Sequence, residues 1–68
     1  MKVGDTAYFN LLNNRYLYGK ILEIRDQTIL IELLSEEYKM KHIAEIPLTS
    51  ILFIVYPPNY KGEQVEKN

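Results

Sequence analysis

The side chains with latent chemistry are few and scattered. His42 is the only histidine and there is no cysteine, so thiolate ligands, disulfides and thiol nucleophiles are excluded, and no set of zinc-binding spacing can be assembled. Acid or base work would fall to Asp5, Glu36, Glu37 or Glu45, none of which stands in a catalytic signature, and Glu36-Glu37 reads as part of a solvated loop. Ser35 and Ser50 lack a nucleophile-elbow setting, and three glycines, Gly4, Gly19 and Gly62, make no phosphate-cradling loop. The expectation is a protein that is not an enzyme, with no catalytic or metal site and no cofactor.

The tyrosines offer more. Six in 68 residues, Tyr8, Tyr16, Tyr18, Tyr38, Tyr56 and Tyr60, is generous, and several fall where strand signals give way to loops. A tyrosine ring buries much apolar area at small rotamer cost while its hydroxyl stays wet. A cluster can therefore anchor a protein, stack on bases or cage a methylated lysine. The plainer reading is that tyrosine favours strands and covers the ends of a small barrel. Leu22, Leu30 and Leu34 are expected on the outside of the sheet, and with Tyr8, Tyr16, Tyr18 and Tyr38 they form the candidate protein-binding surface. A second candidate is basic: Arg15, Lys20, Lys39 and Lys41, interleaved with Tyr16, Tyr18 and Tyr38, would line a groove for RNA or single-stranded DNA, or for an acidic protein. That requires the loop after the first strand to meet the connection between the third and fourth; scattered surface lysines are the alternative.

Size and charge narrow the classes further. A chain of 68 residues is one domain, and at that size folding removes only about 60% of the unfolded surface from water. Without disulfides, burial or self-association has to supply the stability. A formal net charge of -1 with 25% charged residues argues against general nucleic-acid binding, whose affinity comes mainly from lysine and arginine displacing counterions. The longest apolar run, Ile51 to Tyr56, falls far short of the ~20 residues of a membrane helix, and the amino terminus carries no apolar run of signal-peptide length. A cytoplasmic, soluble protein is expected.

These side chains must be positioned by strands. Gly19 to Ile24, a polar break at Arg25-Asp26-Gln27 and Thr28 to Leu33 read as a β-hairpin. Ahead of it, Val3-Gly4-Asp5 predicts a tight turn in which the aspartate bonds a nearby amide, then a strand over Thr6 to Phe9 with Ala7 and Phe9 on one face. Asn10 to Asn14 reads as a loop with Leu11 and Leu12 folded over one end of the core. The second strand, about Arg15 to Arg25, breaks its period of two between Ile21 and Ile24. A β-bulge near Leu22-Glu23 would turn both isoleucines inward. In the third strand Ile29, Ile31 and Leu33 share the inner face, and Leu30, Glu32 and Leu34 the outer. Ser35 to Lys39 reads as a surface loop, with a short helix as the alternative, Met40 to Ile46 as a fourth strand that Pro47 either ends or places at an edge, Thr49-Ser50 as one helical turn, and Leu52 to Tyr56 as the last strand, stopped by Pro57-Pro58. The predicted fold is all-β: a single five-stranded SH3-like barrel over residues 1–58, with Phe9, Ile21, Ile24, Ile29 and Ile31 toward its axis. Residues 59–68 read as a polar tail.

Gly19, Ile21, Ile24, Ile29 and Ile31 resemble the KOW type of SH3-like module, in which a glycine opens a strand and apolar residues follow across a hairpin. With Val3-Gly4-Asp5 and Pro47-Leu48-Thr49-Ser50-Ile51, the chain also resembles short uncharacterised proteins of Gram-positive bacteria and their phages, over roughly residues 3–56. The KOW resemblance implies partners among RNA, ribosomes or transcription complexes. Lys20 and Arg25, however, alternate with Glu23, Asp26 and Glu32, where a nucleic-acid-binding module of that type carries a basic surround. The expected function is therefore a small adaptor or inhibitor that binds a protein through exposed Tyr and Leu residues, with self-association as an accompaniment. A nucleic-acid-associated module acting in translation or transcription is the alternative.

Overall fold

Turns shape the backbone first. In the computed structural model, which describes residues 1–34 and 40–58, the Asp5 N–H donates to the Lys2 carbonyl at 3.1 Å and Gly4 takes φ +97°. This fits a type II turn, which needs a left-handed residue at its third position. The Asp5 carboxylate clamps the same turn by accepting from the Lys2 N–H at 3.1 Å. The next reversal is the loop Leu12-Asn13-Asn14, closed by Leu11 N–H to the Arg15 carbonyl (2.7 Å) and Asn14 N–H to the Leu11 carbonyl (3.2 Å), with Asn14 at φ +64°. A type I turn followed by a left-handed residue is a common three-residue hairpin, and asparagine is one of the few side chains that tolerates that angle.

Between these turns lie five antiparallel strands in one sheet: β1 (Thr6–Leu11), β2 (Tyr16–Ile24), β3 (Thr28–Leu33), β4 (Ile43–Pro47) and β5 (Ile51–Val55), ordered β4-β3-β2-β1-β5. A single 3₁₀ turn, Leu48–Ser50, joins β4 to β5, so the class is all-β and the helical turn lies where the sequence places it. Several strand boundaries differ. Asn10 and Leu11 belong to β1, because three loop residues suffice to reverse the chain. β4 starts at Ile43 and ends on Pro47, which needs no ladder donor as the last residue of an edge strand. β5 starts one residue early, at Ile51. The hydrogen-bond ladder runs from β4 to β5 and does not join those two strands to each other. Ser35 to Lys39 and the tail 59–68 lie outside the described residues.

The inner face is read off the register. Ile21 opposes Ile31, which opposes Ala44; Ile29 opposes Ile46; Phe9 lies between Leu17 and Ile54. Phe9, Ile21, Ile29 and Ile31 are completely buried, with Ala7 and Ile46 beside them, and each large side chain is worth about 1.5–3 kcal/mol. Gly19 opposes both Ala7 and Leu33, and a β-carbon there would lie 2.7 Å from the Glu32 carbonyl oxygen. No side chain fits. The bulge forms as predicted, with the β2–β3 register slipping between Ile21 and Glu23, and it returns Ile24 to the inner parity opposite the buried Ile29. Ile24 is nevertheless 39% exposed, which corrects its assignment to the core: the residue sits at the end of β2, where the sheet runs out of neighbours to cover it.

Curvature follows from one further arrangement. Leu11, Leu12 and Leu17 from the β1–β2 hairpin line a cleft of about 370 Å³ with Ala44, Ile46 and Pro47 of β4. Since β4 and β1 are separated by two strands in the sheet, it must bend strongly to bring them to one cleft. Leu11 packs on the core as expected, whereas Leu12 stays exposed at the turn.

Candidate functional site

The alternation that buries Ala7 and Phe9 sends Tyr8 and Asn10 to the opposite face, and the register extends that face across neighbouring strands. Tyr8 opposes Tyr18 on β2 and Val55 on β5; Asn10 opposes Tyr16 and Phe53. The Leu34 N–H donates to the Tyr18 carbonyl at 3.0 Å, which brings Leu34 beside Tyr18. Two adjacent rows, Leu34-Tyr18-Tyr8-Val55 and Tyr16-Asn10-Phe53, thus carry no charge. The rings of Tyr8 and Tyr18 lie 4.4 Å apart, tilted by 31°; such directly opposed aromatic pairs contribute about 0.2–1 kcal/mol and stiffen each other. Around them Tyr16 is 70% and Phe53 53% exposed, with Tyr8, Val55 and Leu34 also open to solvent.

The other half of the outer surface is ionic. Arg25, at the β2–β3 turn, donates from Nε to Glu23 Oε2 at 2.9 Å and from Nη1 to Glu45 Oε2 at 3.1 Å; the Thr28 hydroxyl donates to that same Glu45 oxygen at 2.8 Å. The Arg25 hydrogen bond and its charge hold the Glu23 carboxyl below its ordinary pKa, and Glu23 in turn raises that of Arg25. These groups are solvated, so the network fixes geometry more than it adds stability.

The sequence-predicted residues separate accordingly. Tyr8, Tyr16, Tyr18 and Leu34 come together in the aromatic rows. Leu30 opposes Glu23 and Glu45, and both it and the bulged Leu22 are half-buried, which corrects the expectation that they stand in water as part of the same patch. Tyr38 and Lys39 lie outside the described residues. Of the basic candidates, Lys20 faces outward between Thr6 and Glu32, Arg15 is exposed next to the β1–β2 turn, and Lys41 is exposed just before β4. The β1–β2 turn and the start of β4 lie toward the same end of the sheet. Phe53 and Val55 were missed. The signal was present in Ile51 to Val55, since every residue in that run is apolar and a half-buried strand must turn some of them outward.

The cleft between the β1–β2 hairpin and β4 presents Glu45 as its one titratable side chain among the described residues, already engaged by Arg25 and Thr28. The His42 Nδ1 lies 2.8 Å from the Met40 carbonyl. Among the described residues no group of His, Asp or Glu is arranged to hold a metal, and no helix is long and apolar enough to cross a membrane. Comparison with protein-family models, with curated proteins and with solved structures returns no match.

Proposed function

We propose that this chain is a small non-enzymatic binding module of the cytoplasm, an adaptor or inhibitor that engages a partner protein through the outer face of β2, β1 and β5. The observation that carries this reading is the charge-free pair of rows in which Tyr16 and Phe53 stand open to solvent around the stacked Tyr8 and Tyr18. A partner covering them gains area from side chains whose order is already established in the free protein, which lowers the entropic cost of binding. Tyrosine and phenylalanine are also among the residue types enriched in the buried centres of interfaces. The strand order, the Gly19 close approach and the 3₁₀ turn before the last strand support kinship with SH3-like barrels. The test is quantitative capture of host proteins on immobilised wild-type chain beside Tyr16→Glu with Phe53→Glu. Capture of a specific partner should fall at least tenfold in that variant and persist in Arg25→Ala; equal capture by all three ends the proposal.

A second reading rests on Lys20, which flanks Tyr18 on the same face, and on Arg15 beside the hairpin turn. Aromatic rings next to basic side chains suit single-stranded RNA or DNA, as in a KOW-like module of translation or transcription. Binding would then weaken steeply with salt and drop in Lys20→Gln with Arg15→Gln; no binding at low ionic strength removes it.

A further inference from the structure

The two edges of the sheet are not alike. β4 carries Glu45 and ends on Pro47, and charge and proline are standard means of blunting an edge. β5 carries neither. From Ile51 through Pro58 there is no charged residue, Leu52, Phe53 and Val55 are exposed, and among the described residues no strand pairs with β5 on the side away from β1. An extended, uncharged edge strand with no strand beside it among the described residues is suited to take another strand.

We infer that the occupant is β5 of a second copy, paired antiparallel about a two-fold axis through Ile54. Three features select it, and the inference shares the apolar surface of the proposed function. First, the edge is uncharged, so two identical copies meet without like-charge repulsion. Second, the register fixes parity: Ile54 faces inward opposite Phe9, while Phe53 and Val55 face outward opposite Asn10 and Tyr8. Facing residues in an antiparallel pair must share a side. The axis through Ile54 meets that condition by opposing Phe53 to Val55 of the second copy. An axis through Phe53 would run into the irregularity at Leu52, where the β1–β5 register slips. Third, of the two edges among the described residues only β5 lacks charge and proline, so pairing closes at two and does not propagate into a fibre. The dimer is a continuous ten-stranded arrangement in which the Tyr16-Asn10-Phe53 row of each copy runs on into the Val55-Tyr8-Tyr18-Leu34 row of the other. A five-residue edge buries less than the roughly 800 Å² per partner of a standard interface, so the association is reversible.

Sedimentation velocity on the full chain over a wide concentration range, with amide exchange at each concentration, tests this. The expected result is a monomer–dimer shift accompanied by protection of amides in 51–55 and not in 43–46. Phe53→Lys with Val55→Lys should abolish the dimer. Phe53→Lys with Val55→Glu should restore it, because each new lysine then faces a new glutamate across the axis. Circular dichroism confirms that both variants are folded, and Ile43→Lys on the β4 edge should dimerise like wild type. A wild-type chain that stays monomeric throughout overturns the inference. So does a dimer indifferent to both double variants, or a monomer whose β5 is instead protected by an extended segment of another protein. Tyr16→Glu separates the two proposals, since it should abolish partner capture while leaving the monomer–dimer shift intact.

Discussion

The outer surface divides into an aromatic half, over β2, β1 and β5, and an ionic half, over the β2–β3 turn and β4. Both lie on the same sheet and rest on the same buried residues, yet they differ in how their outward side chains engage one another. In the ionic half Glu45 accepts from Arg25 and Thr28, and Arg25 reaches Glu23 as well, so these four side chains engage one another. In the aromatic half, among the described residues, Tyr8 and Tyr18 pair, while Tyr16, Phe53 and Val55 are turned to water. An exposed ion pair costs a soluble protein little, whereas contiguous exposed apolar side chains carry a standing penalty relieved only by a partner. The contrast is what supports the proposal that a partner is engaged on the aromatic side.

The largest perturbation should erase the contrast altogether. Phe9→Ala removes a wholly buried ring common to both halves, at a cost of about 3–5 kcal/mol, most of the stability expected for a domain of this size. Tyrosine fluorescence and far-UV circular dichroism should then report one shared, greatly lowered transition; separate transitions would show that the halves fold independently. Next comes Gly19→Ala, at the strand where the halves meet. The Glu32 carbonyl cannot give way without parting β2 from β3, so a loss of about 1–3 kcal/mol is expected in urea unfolding, and an unchanged midpoint would refute the close approach. The smallest effect belongs to the ionic half. Arg25→Ala should leave the unfolding midpoint near that of wild type while raising the Glu23 titration midpoint toward that of a free glutamate, followed by NMR of its side-chain carboxyl. The sign follows from linkage: the folded pKa of Glu23 is depressed, so its contribution is complete above the ordinary carboxylate range and is lost as pH falls through the folded value.

Much of the architecture was legible because it is written in neighbours along the chain. Alternation at Ala7-Tyr8-Phe9 and Ile29-Leu30-Ile31 assigned faces correctly, the three-step spacing from Ile21 to Ile24 announced the bulge, and Gly4, Asn14 and Pro47 marked turns or ends by backbone restrictions of their own. Burial was less legible. Ile24 has the inner parity but too few neighbours, and Leu22 and Leu30 gain cover from strands the local pattern does not mention. The candidate site was half visible, as Tyr8, Tyr16, Tyr18 and Leu34 stood out by type while Phe53 and Val55, in a run of apolar residues with no alternation, received no face.

By itself, then, the sequence determined an all-β chain, the inward set Ala7, Phe9, Ile21, Ile29 and Ile31, and the turns between strands, because side-chain period and φ restrictions act over a few residues. Only the tertiary structure decided that β5 lies against β1, bringing Phe53 and Val55 beside tyrosines more than thirty positions earlier, and that Arg25 meets Glu45. Such pairings depend on how the whole sheet bends to enclose its apolar face, a balance of burial and strand register that no short stretch of residues encodes.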